Sequence, residues 1–488
     1  MKMRKILSLI LAVLMIVSVF SACGNGGSEG EETDPPVSES QKPAPDPDPT
    51  DEGKEKVQLS LGIYPVDTDE AAKAEHEKFI AIFEDKYPDV EIVRDNYEYA
   101  LDTFVPRAEG GQLPVVFTTW FTEPAKIIAN GYAADITDYL EERGWLDMIN
   151  PDVLAQMSRD GRVYGLPRDA YALGLMINLN LFEEAGFKNE DGTYQYPKTW
   201  EEVAEFAVTI KEKTGKMGLA MQGQDNGAGW HFSNIAWNFG AEMTVVDPNT
   251  AEVTANLNTP EFIEALEYVK SLRWEHDVLL DPSAINWGTG YEALGTGTAA
   301  MYIAANDGVN QPRNYGLSEN EFAIIPMPAG PGGDQYLLLG GTPYMFSVDA
   351  SPEQINAALD YIEIMGKVPA VNDDVKEGQR VTFANHKEQG IPVIPQFPIY
   401  TDSEWIAMQD EVVAEFSNVN MDLWQDYIDI MRASGKTHAE EPGLTQEMYA
   451  QILQALQAVF SDKDADCAKL AETANSNYQK LLDAYYAG

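Results

Sequence analysis

From Val57 onward the chain switches repeatedly between a two-residue and a 3.6-residue hydrophobic period, and this alternation leaves few architectures open to it. Val57, Leu59, Leu61 and Ile63 alternate with Gln58, Ser60 and Gly62, the pattern of a half-buried strand. Asp67 to Glu70 then supply an acidic helix start, and His76, Phe79, Ile80, Phe83 and Tyr87 share one helical face before Pro88 ends it. On that spacing His76 reads as a boundary residue of the helix rather than a ligand. Short β-rich runs recur at 90–93, 115–117, 173–177, 217–221, 299–304, 322–325 and 345–348. Helix starts punctuate them: a capping box at Thr199 to Glu202, Pro260 at the first helical position after Thr259, and both devices at Ser351 to Gln354, in a helix that stops at Gly366. After about Thr401 the pattern is almost wholly helical. Strands alternating with helices predict an α/β body with a helical C-terminal region.

The segment before Val57 cannot join that body. Lys2, Arg4 and Lys5 precede the apolar stretch from Ile6 to Phe20, which is too short to span a bilayer and reads as an export signal. It ends in Phe20, Ser21, Ala22 and Cys23, which resembles a bacterial lipobox whose Cys is lipidated and becomes the mature N-terminus. Residues 24–56 hold ten acids and six prolines without apolar periodicity, so they read as a disordered acidic tether with a reach of roughly 30 Å. The expected organisation is a signal peptide at 1–22, the lipidated Cys and tether at 23–56, and a folded domain at 57–488.

Charge narrows the function. Against 33 Lys and Arg stand 79 Asp and Glu, a formal net charge of −46, which argues against any partner built on a phosphate backbone; no nucleic acid is expected. Cys23 and Cys467 are the only cysteines and exclude a disulfide framework; Cys467 reads as a small buried hydrophobe. Five scattered histidines offer no paired metal spacing, and no metal or cofactor is expected. Gly288, Gly290 and Ala293, and again Gly295, Gly297 and Ala300, fit a loose dinucleotide fingerprint, but the second set closes a helix and enters a strand, the wrong order for such a loop. The turn at 189–192 is an Asx-Gly turn. Adjacent acids such as Glu141/Glu142, Glu183/Glu184, Asp373/Asp374 and Glu440/Glu441 read as solvated faces.

Aromatic residues carry more information. Trp274 and Trp424 lie at helical spacing and Trp200 in a cap, so all three read as core. Trp120, just past a strand, Trp230, in the glycine-rich turn at 225–229, and Trp287, beside Gly288, occupy predicted loops where packing explains them less well. Tyr64 and Tyr171 adjoin strands next to Asp67 and Asp169. Indole and phenol faces beside carboxylates and amides suit sugar rings, whose C–H face is apolar and whose hydroxyls need partners.

With those residues in view, the chain resembles the extracellular solute-binding proteins of ABC transporters, specifically the sugar-type group that includes maltose-binding proteins. The resemblance rests on the runs GYAADIT at 131–137, GRVYGLP at 161–167, GLMIN at 174–178 with Leu181 and Phe182, PKTWEE at 197–202 and GTGTAAMYI at 295–303. It implies a two-lobe periplasmic-binding-protein-like fold of class II with an interlobe hinge. Lobe one would hold about 57–173 and 341–370, and lobe two about 178–337 and most of 401–488. It also implies a monomer without enzymatic activity, tethered outside the cytoplasmic membrane through Cys23, that delivers a carbohydrate to permease subunits. The ligand-binding set it suggests is Trp120, Trp230, Asp307, Asn306, Trp287, Tyr64, Asp169 and Tyr171. Relatives often stack a Trp after the strand at 299–304, where this chain has Asn306 and Asp307 and so exchanges stacking for hydrogen bonding. The segment 367–400, with Asn385, His386 and four prolines, resembles the longer lipoproteins of the group, some of which take oligosaccharides. Two alternatives stay open at this point: a secreted acidic glycoside hydrolase or lyase, and a peptide-binding lipoprotein.

Overall fold

In the computed structural model the described residues are 56–487 apart from 248, 249 and 251. The export signal, Cys23 and the tether therefore lie outside the described residues. Among those described, no helix is long and apolar enough to cross a membrane.

Two long strands organise everything else. Gly165–Asn178 runs antiparallel to Leu337–Phe346 along its first half, from Gly165 opposite Met345 to Ala172 opposite Leu339. Along its second half, from Leu173 to Asn178, it pairs instead with Ala299–Ala305 on one side and Phe322–Ile325 on the other. One strand thus leaves one half-sheet at Ala172 and enters another at Leu173. The first half-sheet continues from Leu337–Phe346 through Val116–Thr118 and Val57–Gly62 to Val90–Arg94, and the second ends on Met217–Ala220. The last three strands of the first half and the last two of the second are mutually parallel, with helices as crossovers.

The expected helix starts form. Asp69 caps Glu70–Lys86, Thr199 accepts the Glu202 amide at the start of Trp200–Thr214, Thr259 caps Pro260–Trp274, and Ser351 with Gln354 closes a reciprocal capping box on Pro352–Ile364. Gly366 follows the last of these with φ of +73°. Phe79, Ile80 and Phe83 bury one face of the first helix. Trp200 and Trp424 are core, and Cys467 is buried, with its thiol pushed up to about 12 by that burial.

Some expectations fail, for identifiable reasons. Trp274 ends its helix with 39% of its surface exposed, its indole N–H donating to the Val459 carbonyl at 2.8 Å. The glycine-rich turn around Trp230 is the first turn of a helix, Gly227–Asn238, because Asp225 accepts the Gly227 amide and His231, Phe232 and Ile235 bury the following turns. Trp287 likewise sits at the first position of Trp287–Gly295, behind an Asn286–Thr289 capping box. Glu440 and Glu441 are not a solvated face: Glu441 is buried, accepting from the Trp237 indole at 2.8 Å and from the Thr244 hydroxyl, while Glu440 accepts from the Tyr449 hydroxyl at 2.9 Å.

The helical C-terminal region divides its packing. Thr445–Ser461 and Cys467–Tyr486 pack on each other and on Gly227–Asn238 and Pro260–Trp274. Ser403–Phe416 packs instead on Asp373–Glu388, with the Trp405 indole donating to the Val368 carbonyl at 2.9 Å.

Candidate functional site

Polar groups gather where the long strand changes partners. Asp169 stands opposite Thr342, accepts both its amide and its hydroxyl, and holds Arg168 Nε at 3.1 Å. Asn306 and Asp307 turn the chain immediately after Ala299–Ala305, whose last residue pairs with Leu173. Asn306 is 3% exposed and fully engaged: its amide donates to Gln396 Oε1 at 3.0 Å, and its carbonyl accepts the Tyr427 hydroxyl at 3.1 Å. Asp307 makes no hydrogen bond to another side chain. Surrounding protein and then the Asp169 carboxylate push it up to about 7, against the pull of its own turn's amides and Arg168.

These groups face a cavity of ≈ 580 Å³, within the range of small-molecule pockets. Its other walls are Glu75 and His76 of the Glu70–Lys86 helix, Lys367 beyond Gly366, Gln379 and His386 of the Asp373–Glu388 helix, and the irregular segment around Gln396. Burial, and then the charge of Arg168, hold His76 at about 4, so its ring is neutral at pH 7 while Nδ1 contacts the Tyr361 hydroxyl at 3.1 Å. Burial and Lys367 hold His386 at about 4 as well. Glu75 is raised by burial and anchored by Asn385 at 2.7 Å and Thr382 at 3.2 Å.

The aromatic candidates lie elsewhere around the same changeover. Tyr171 follows Asp169 by two residues on the same strand face, and its ring lies over Gly340 so closely that a Cβ there would stand 2.4 Å away. Trp230 meets Tyr171 edge to face at 6.2 Å. Trp287, 43% exposed, packs edge-on against Tyr291 at 4.9 Å, and Tyr291 feels the Asp307 charge. Trp120, 41% exposed, packs edge-on against Tyr99, whose hydroxyl donates to the buried Glu123 at 2.7 Å. Lys126 links this corner to Glu447 at 3.0 Å. Tyr64 is turned aside: its hydroxyl donates to Glu77, which Arg94 also holds at 2.7 Å.

Of the expected set, Asp169, Asn306 and Asp307 line the cavity together; Tyr171, Trp230 and Trp287 stand near them, Trp120 on a separate corner, and Tyr64 is engaged outside it. Sequence reasoning missed Arg168, Lys367, Gln379, His386 and Glu440. Among the described residues no group of three or more His, Cys, Asp and Glu could hold a metal ion.

A two-part sheet joined through one continuous strand, with a polar cavity and open aromatic rings at the join, defines a ligand-binding α/β protein. The family model described as "Bacterial extracellular solute-binding protein" matches residues 66–367, and the chain belongs to that family. It is a family of substrate-binding proteins and not of enzymes. The first relatives it matches include a Brucella abortus (strain 2308) protein named only as a binding protein, 27% identical over 240 residues, which are 48% of this chain and 53% of that one. The chain thus spans about half the length of these relatives. The melibiose/raffinose/stachyose-binding protein of Bacillus subtilis (strain 168) is 22% identical over 321 residues, 63% of this chain and 70% of that one. Among solved structures, the GacH receptor of Streptomyces glaucescens, studied unliganded and with acarbose, superposes with a TM-score of 0.64 at 20% identity, covering 88% of this chain and 98% of that one. That likeness establishes the two-lobe periplasmic-binding-protein fold.

Proposed function

We propose that the chain is an extracytoplasmic substrate-binding lipoprotein of an ABC importer that captures a carbohydrate, of oligosaccharide size, between two lobes and hands it to permease subunits. The single observation that carries this reading is the setting of Tyr171, with Trp230 against it, and of Tyr291, with Trp287 against it, around an Asp307 carboxylate that no side chain holds, where the long strand changes partners. Ring faces take the apolar side of a pyranose, and carboxylate and amide groups replace the water that its hydroxyls lose. The relatives named for melibiose, raffinose and stachyose, and the structure with acarbose, support the same ligand class. Lobe one comprises about 57–173 and 341–370, and lobe two about 178–337 with most of 401–488; the partner change at Ala172 and Leu173 supports that boundary. The lipid on Cys23 supplies the membrane attachment, and the protein works as a monomer.

Thermal denaturation with a panel of neutral sugars, raffinose and maltotriose included, tests the proposal. A bound sugar at a hundred times its dissociation constant adds about 2.7 kcal/mol of stability, a readily measured shift in Tm. The sugar should be recovered unchanged, whereas a hydrolase or lyase would return cleaved product. A Tm indifferent to the whole panel overturns the carbohydrate reading.

A further inference from the structure

We propose that the cavity at the strand changeover binds the anionic group of an acidic carbohydrate, a uronate carboxylate or a sugar phosphate. Arg168 and Lys367 both line it, in a chain where acids outnumber basic residues 79 to 33. The carboxylates of Asp69, Glu75, Asp169 and Asp307 line it as well, so what matters is which of these charges are already paired. Lys367 Nζ makes no ion pair or hydrogen bond; burial disfavours its charged form, the Asp169 and Glu75 carboxylates act from a distance in its favour, and Arg168 acts against it. Charges withdrawn from water are ordinarily paired. The acids nearby are already committed: Asp169 to Arg168 Nε and Thr342, and Glu75 to Asn385 and Thr382. Arg168 has only its Nε so engaged, and 44% of its side-chain surface is open.

A second observation is independent of charge. Gln379, 6% exposed, stands in the wall of the same cavity with both amide atoms buried and without a partner. A buried amide left this way costs free energy that a bound polar ligand returns. The surroundings therefore supply one unpaired ammonium, a guanidinium engaged only through Nε, a buried amide without a partner and an Asp307 carboxylate held only by the amides of its own turn. An acid group on a hydroxyl-bearing ring matches that set: the anion to Lys367 and Arg168, the hydroxyls to Asp307 and Gln379.

The proposal rests on the carbohydrate reading for the body of the ligand and adds its charge. Calorimetry on the folded chain with glucose, glucuronate and glucose 6-phosphate, which share a ring and differ at C6, tests it. At least one acidic probe should bind ten times or more tighter than glucose. Lys367→Gln should remove that difference, a loss of about tenfold or more in affinity for the acidic probe. Arg168→Gln, at an open position, should reduce it as well, and both variants should keep the cooperative melting transition of the parent without ligand. Preference for glucuronate assigns a carboxylate, and preference for glucose 6-phosphate a phosphate. An acidic preference that survives both substitutions overturns the proposal, as does equal binding of all three probes. If raffinose or maltotriose binds and neither acidic probe binds or competes, the proposal falls alone; if no sugar of either kind binds, the carbohydrate reading falls with it.

Discussion

Single residues decide how a cleft holds a ligand, and the indoles here are not equivalent. Trp120 exposes 41% of its surface and leans only on Tyr99, whereas Trp230 is half-buried against Tyr171 and His231. Trp120→Ala should cost about 2 kcal/mol or more in carbohydrate affinity, roughly thirtyfold, if its free face stacks on the ligand, and leave the Tm nearly unmoved. Trp230→Ala should lower both, because its ring also supports the Tyr171 edge. Phe83→Ala is the control: fully buried, it should lose stability by about 3–5 kcal/mol and affinity only through unfolding. Titration calorimetry with parallel melting curves separates these outcomes, and unchanged affinity in both Trp variants would place the ligand elsewhere. The indoles were legible in the sequence because large apolar rings beside glycines and acids are conspicuous. The polar wall was not, since His76, Arg168, Lys367 and His386 are spread over more than 300 positions and no periodicity links them; only the folded chain brings them to one cavity.

At the scale of elements, the capped helices were read nearly to the residue and the two longest strands were read short. The reason is physical: Gly165, Pro167 and Gly174 interrupt one strand and Gly340, Gly341 and Pro343 the other, breaking the β-branched alternation that marks a strand. Gly340 and Gly341 leave room for the Tyr171 and Phe121 rings, Gly174 for Ile324 and Tyr427, and Gly165 for the Tyr344 carbonyl and Met157; the register shifts between Thr342 and Pro343, next to Asp169. Two substitutions should therefore behave differently. A Cβ at Gly341 would meet Phe121 at 2.4 Å and the Asp169 carbonyl at 2.6 Å, and backbone cannot step aside, so Gly341→Ala should destabilise by about 1–3 kcal/mol. At Gly340 the obstruction is the far end of the Tyr171 ring, at 2.4 Å, which can swing away. Gly340→Ala should thus keep most of its stability and lose ligand affinity, as Tyr171 and with it Trp230 leave their places. Comparable melting temperatures for the two variants would contradict this account of the strands.

For the molecule as a whole, five titratable groups shifted mainly by loss of hydration act on the pH dependence of stability, and they pull in opposite directions. Asp307 and Glu440 are each pushed up to about 7, chiefly by burial, from ordinary values of 3.8 and 4.5. An acid raised in the folded state binds its proton more tightly there, so its contribution is present at low pH and is lost as pH climbs from about 4 through 7. His76 and His386 are held near 4 and His231 near 3, again by burial, against 6.5 when unfolded. A histidine lowered in the folded state is protonated first in the unfolded chain, so its contribution stands above 6.5 and is lost as pH falls toward 4. From pH 8 toward 7 the two carboxyls take up protons ahead of the unfolded histidines, and the Tm without ligand should rise on acidification. By about pH 6.5 the three histidines offset them, and the curve should flatten there and then descend. Repulsion within a chain of net charge −46 would also favour acid, but ionic strength screens it, whereas the loss of hydration that raises the two carboxyls is not a charge–charge effect and responds far less to salt. The double variant Asp307→Asn with Glu440→Gln, melted at pH 6.5, 7 and 8 in low and high salt, separates the two causes. It should lose the rise between pH 8 and 6.5 that the parent keeps in high salt. A rise that persists in the double variant and vanishes with salt would assign the effect to surface charge and leave the two carboxyls titrating as ordinary acids.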